Sequence, residues 1–141
     1  MARVLVVDDE ENQLEVLSLG LRLEGFEVCA AQTAGGALAV LEAEKVDLAI
    51  LDLMMPGING IELARRIRQS HPHVRVVLTS AYHLSERQLA RADCGVVGFV
   101  PKPFELVELA GFLRAKLAPC SRTSLAQPAP ATVTELRSRR A

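Results

Sequence analysis

The sequence predicts an open, doubly wound α/β fold, a parallel sheet with helices on both faces. Three observations predict it. Five short aliphatic runs are apolar almost throughout, as strands buried on both faces are. Segments between them switch to the 3.6-residue apolar period of amphipathic helices. Notable polar residues fall just after the runs, at the strand ends where open α/β sheets bind ligands. Parallel strands need crossover connections, and those lay helices over the sheet.

The first strand is "RVLVV" (3–7), followed at once by four consecutive carboxylates, Asp8 to Glu11. Leu14, Leu17 and Leu21 share one face of the first helix. "VCAA" (28–31) is the second strand, and "DLAIL" (47–51) the third, which delivers Asp52 to a Pro-Gly turn. Asn59 is placed to cap the next helix, where Ile61, Ala64 and Ile67 share a face. "VRVVL" (74–78) and "VVGFV" (96–100) are the fourth and fifth strands, with Ser80 after one and Lys102 just past the other. A last helix aligns Leu106, Leu109, Leu113 and Leu117. Beyond it, scattered Pro, Ser and Thr with no sustained apolar period predict a disordered tail or the start of a linker over 119–141, leaving 1–118 as the domain.

A chain of 141 residues, half of them hydrophobic, is long enough for one domain with a proper core. Its formal net charge of -1 provides no long-range attraction to nucleic acid or an anionic membrane. No apolar run approaches the roughly 20 residues that span a bilayer, and Met1-Ala2-Arg3 leads straight into a strand instead of a signal sequence. The reading is a cytoplasmic protein that binds neither membrane nor nucleic acid directly. Cys29, Cys94 and Cys120 are odd in number and irregularly spaced, so free thiols are expected. His71, His73 and His83 lack metal-ligand spacing.

Asp8, Asp9, Asp52, Ser80 and Lys102 lie far apart in sequence, yet all stand at one edge of the expected sheet. Three ionised carboxylates in one crevice repel each other unless a cation joins them. Magnesium suits such a site, with manganese as a substitute: it takes one or two carboxylates, keeps waters, and brings in phosphate oxygens. A carboxylate held beside that metal can attack phosphorus, with Lys102 and the Ser80 hydroxyl serving the transferred oxygens. Simpler roles stay open. Glu10 and Glu11 also favour the positive end of the following helix, and Asp52, Ser80 and Lys102 could each be ordinary turn or surface residues.

The segments "VLVVDDE", "LAILDLMMPGINGIEL", "VVLTSAY" and "VPKPF", in this order, make residues 1 to about 118 resemble the receiver domain of two-component response regulators, a chemotaxis-regulator-like, flavodoxin-like fold. The resemblance implies strand order 2-1-3-4-5. It implies that Asp52 is the phosphoryl acceptor, that Asp9 and Asp52 ligate magnesium directly, and that Asp8 acts largely through water. The Met54 backbone carbonyl is the remaining protein ligand on this reading, Ser80 (not Thr79) the switch hydroxyl, and Phe99 the switch aromatic, whose ring could enter space that Ser80 vacates. Lys102-Pro103 resembles the family's cis peptide. Met54 and Tyr82 flank the phosphoryl group by analogy and offer no acid or amide to position an attacking water.

The expected protein is thus a self-modifying phosphoacceptor switch and not a turnover enzyme. Its partners would be a sensor histidine kinase or phosphotransfer protein, an output protein or effector domain, and, through residues 85 to 117 (the fourth helix, fifth strand and fifth helix), a possible second copy. The alternative is a degenerate receiver that binds proteins without phosphorylation. Two enzyme classes fit worse. A flavin phosphate wants a Gly/Ser/Thr-rich loop where "DDEE" stands, and an aspartate-dependent phosphohydrolase wants a second Asp where Met54 stands.

Overall fold

A computed structural model describes residues 2–81, 95–117 and the pair 134–135. The elements are β1 (Arg3–Val7), α1 (Glu11–Leu23), β2 (Glu27–Ala31), α2 (Ala34–Ala43), β3 (Leu48–Asp52), α3 (Gly60–Ser70), β4 (Arg75–Ser80), β5 (Val96–Pro101), α4 (Leu106–Leu117) and β6 (Thr134–Glu135). All strand pairs are parallel. The five expected strands run in the order 2-1-3-4-5, and β6 adds a sixth beside β5. The helix expected between β4 and β5 falls on 82–94, outside the described residues. Of the stretch 119–141 only Thr134 and Glu135 are described, opposite Gly98 and Phe99 in the sheet.

Strand alternation sorts the core into two layers. Val4 and Val6 of β1, Leu48 and Ile50 of β3, Val77 and Val100 pack against Leu14 and Leu21 of α1 and Leu109 and Leu113 of α4. Leu5 and Val7, Ala49 and Leu51, Val76 and Leu78, and Phe99 pack on the other side against Ala37 and Leu41 of α2 and Leu63, Ala64 and Ile67 of α3. Every residue of β3 is buried, which is why that run is apolar without a break until Asp52.

Two strands are longer at their C-terminal ends than the apolar runs suggest. Asp52 and Ser80 are the last residues of β3 and β4, not the first residues after them. The ladder carries them: Asp52 pairs with Thr79, the Leu53 N–H donates to the Thr79 carbonyl at 2.8 Å, and the Lys102 N–H donates to the Ser80 carbonyl at 2.8 Å. After β3 the chain turns through Pro56 and Gly57, whose φ of +83° belongs to the left-handed region. Asn59 then caps α3, its side chain accepting from the Glu62 N–H at 2.9 Å.

Candidate functional site

The C-terminal ends of β1 and β3 bring the acidic residues together. Oxygens from Asp8, Asp9 and Asp52 lie within 4.8 Å of one another. Asp8 is buried and held at both ends: its N–H donates to the Ala31 carbonyl at 3.2 Å, and its Oδ1 accepts from the Glu10 N–H at 2.9 Å. Asp52 is buried as well, with Oδ1 accepting from the Met54 N–H at 3.4 Å. Asp9 is exposed. Glu10 and Glu11 also face solvent at the start of α1, where their charge meets the positive end of the helix.

Lys102 enters from the far side of the sheet, past β5. Its Nζ stands 3.4 Å from Asp8 Oδ2, 3.8 Å from Asp52 Oδ1 and 3.0 Å from Gln13 Oε1. The Lys102–Pro103 peptide is cis. Together with Ser80 and Met54 these groups line a crevice of about 230 Å³. Thr79 lines a neighbouring, larger and mostly apolar cavity of about 630 Å³ with Val6, Leu17, Ile50 and Phe104, which Asp8, Gln13 and Lys102 also border. Side chains alternate along β4, and of the two neighbours Ser80 is the one that lines the acidic crevice.

Burial pushes the Asp52 carboxyl above its ordinary range. Lys102 pulls it back, Asp8 pushes it up again, the Met54 N–H lowers it, and Asp9 raises it. The net direction is upward, so one ammonium does not compensate the crevice. A donor set of carboxylate oxygens, with neither thiolate nor imidazole in the cluster, fits a hard cation such as magnesium.

The remaining expected residues are distributed as follows. Phe99 is wholly enclosed in the α2/α3 layer, so any movement of its ring starts from a buried position. Met54 is 56 % exposed at the crevice rim. Tyr82, His83, Cys94 and Cys120 lie outside the described residues. Cys29 is a free, partly buried thiol, which burial pushes above its usual range. Gln13 is the member of the site that sequence reasoning missed. Its one signal was position: it lies three residues after Glu10, on the helix that the acidic run starts. Among the described residues no helix is long and apolar enough to cross a membrane.

A family model described as the response regulator receiver domain matches residues 4–114. The probable transcriptional regulatory protein TcrX of Mycobacterium tuberculosis is 32% identical over 94% of this chain and 57% of its own length. Response regulator MprA of Mycolicibacterium vanbaalenii is 38% identical over 82% of this chain and 50% of its own. The chain thus spans about half the length of these curated relatives. Among solved structures, a CheY-like receiver domain protein from Methanospirillum hungatei superposes with a TM-score of 0.77 at 30% identity, covering 83% of this chain and 94% of that one. Response regulator TrrA of Thermotoga maritima, solved in complex with Mg(2+)-BeF, gives 0.73 at 36% identity, covering 84% and 100%. A family match over most of the chain, relatives above 30% identity, and the shared 2-1-3-4-5 sheet establish that the chain belongs to the response regulator receiver domain family of two-component systems.

Proposed function

We propose that this receiver takes a phosphoryl group onto Asp52 from a histidine kinase or phosphotransfer protein and changes conformation to control an output partner. One observation carries the reading: Asp8, Asp9 and Asp52 converge within 4.8 Å, with the Lys102 ammonium 3.8 Å from Asp52. Asp9 and Asp52 would hold magnesium directly, Asp8 largely through water, and the Met54 carbonyl would complete the protein's share. Bound there, the ion neutralises charge on phosphoryl oxygens.

The residues of the chain do the rest. An Asp52 oxygen attacks phosphorus as the P–N bond of a phosphohistidine breaks; the imidazole nitrogen keeps the electron pair and takes a proton from water. Lys102 supplies a compact positive charge to a transferred oxygen, and the Ser80 hydroxyl donates to another. Met54 offers no side-chain group that orients an attacking water, which favours a long-lived acyl phosphate. The output face would lie on residues 85–117, where an effector domain or a second copy docks. TcrX, named as a transcriptional regulator, supports an output of that kind.

Incubating wild type and Asp52→Asn with acetyl phosphate, with and without magnesium, tests the assignment by intact mass. Wild type should gain one phosphoryl group only with magnesium, and the variant none. Equal labelling of the variant, or labelling indifferent to a chelator, would overturn it.

A further inference from the structure

Lys102 sits at the junction of three acceptors, and the nearest is not a carboxylate. Gln13 Oε1 lies 3.0 Å from Nζ, against 3.4 Å for Asp8 and 3.8 Å for Asp52. Closed ammonium–carboxylate hydrogen bonds run at roughly 2.7–2.9 Å. The lysine therefore reaches Asp8 only through a long hydrogen bond and stands beyond hydrogen-bond distance of Asp52. The Gln13 amide is itself oriented, since its Nε2 donates to Glu10 Oε2 at 3.4 Å and so turns the carbonyl oxygen toward the lysine.

We infer that Gln13 is a positioning residue for Lys102, a neutral acceptor that holds the ammonium at the mouth of the crevice. The assignment deepens the phosphoacceptor reading and rests on it for its consequence. An ammonium has three hydrogens to satisfy. With one of them engaged by Gln13, it holds Asp8 only at 3.4 Å and Asp52 at 3.8 Å, distances from which a cation can displace it. An amide suits this task better than a carboxylate, because it adds no negative charge to the four carboxylates already crowding Asp8 to Glu11. Without Gln13, the lysine closes on Asp8 and Asp52 and competes with the metal for the same oxygens.

The test uses four proteins: wild type, Gln13→Met, which keeps length but loses the acceptor, Lys102→Met, and the double variant. In metal-free buffer, NMR of the lysine ammonium groups should show a Lys102 signal in wild type that moves to a different shift in Gln13→Met, as the ammonium leaves the amide and closes on Asp8 and Asp52. This arm stands even if Asp52 is never phosphorylated. In magnesium titrations by calorimetry, Gln13→Met should weaken binding about fivefold, within the range seen for coupled neighbours. The same substitution in the Lys102→Met background should change nothing, because the competitor is gone. An unchanged Lys102 signal overturns the contact, and an equal loss of affinity in both backgrounds overturns the mechanism. Absence of magnesium binding in wild type, with the Lys102 signal behaving as expected, would instead overturn the phosphoacceptor reading and with it the consequence drawn for Gln13.

Discussion

A methyl group on Gly60 would stand 2.7 Å from the carbonyl oxygen of Asp52. It would also lie 2.9 Å from the Leu53 Cα, and both are backbone atoms that cannot swing aside. The first residue of α3 thus rests directly on the end of β3, its N–H donating to the Leu53 carbonyl at 2.9 Å. Gly60→Ala should cost about 1–3 kcal/mol, the usual penalty of overpacking, despite alanine's better helix propensity. Urea unfolding measures it. An unchanged midpoint would mean that α3 lifts off the strand freely.

Asp52→Asn should stabilise the metal-free protein at neutral pH. A carboxyl with a raised folded pKa binds more protons folded than unfolded, so its charge opposes folding. That opposition is full above the raised value and vanishes as pH falls below the unfolded value near ~3.9. Thermal unfolding from pH 7 to pH 3 should show the variant's advantage shrinking on acidification. An advantage that grew instead would mean that Lys102 outweighs burial.

Magnesium should stabilise the wild type by mass action, by about 2.7 kcal/mol at a hundred times its Kd. Asp9 is exposed, so Asp9→Asn should change metal-free stability by no more than about 0.5 kcal/mol. It should nevertheless remove most of the magnesium increment. Melting curves with and without the ion compare the two directly, and a full increment in Asp9→Asn would take that residue out of the metal site.

Ser80→Ala should still be phosphorylated on Asp52 yet transmit poorly. Phosphorylation adds charge and acceptor oxygens that draw the hydroxyl inward and bias the following loop. Amide exchange with a beryllofluoride mimic should show protection changes over 85–117 in wild type and smaller ones in the variant. Changes of equal size would place the switch elsewhere, since only a difference between states can move a population.

The sheet was legible because β1, β3, β4 and β5 are apolar runs with turn or charged borders, and their order followed from the resemblance. Their ends were not, because Asp52 and Ser80 join the ladder through partners across the sheet, such as Thr79 opposite Asp52. Asp8, Asp9, Asp52 and Lys102 were legible as strand-end polar residues. Gln13 was not: position alone marks a glutamine in the first turn of a helix, and its partner arrives from 89 positions away. Gly60 reads as an ordinary weak helix former until the strand beneath it is seen. β6 escaped detection because two residues without an apolar run dock through backbone pairing, which composition does not record.

That short pairing has a consequence for how the sheet meets other chains. An uncovered strand offers its outer row of N–H and C=O groups as a template for any extended segment. Gly98 and Phe99 have that row partly filled by Thr134 and Glu135 of the same chain. A segment of the same chain competes at the effective concentration of an intramolecular partner. A rival strand must displace that local partner before it can extend the sheet from β5.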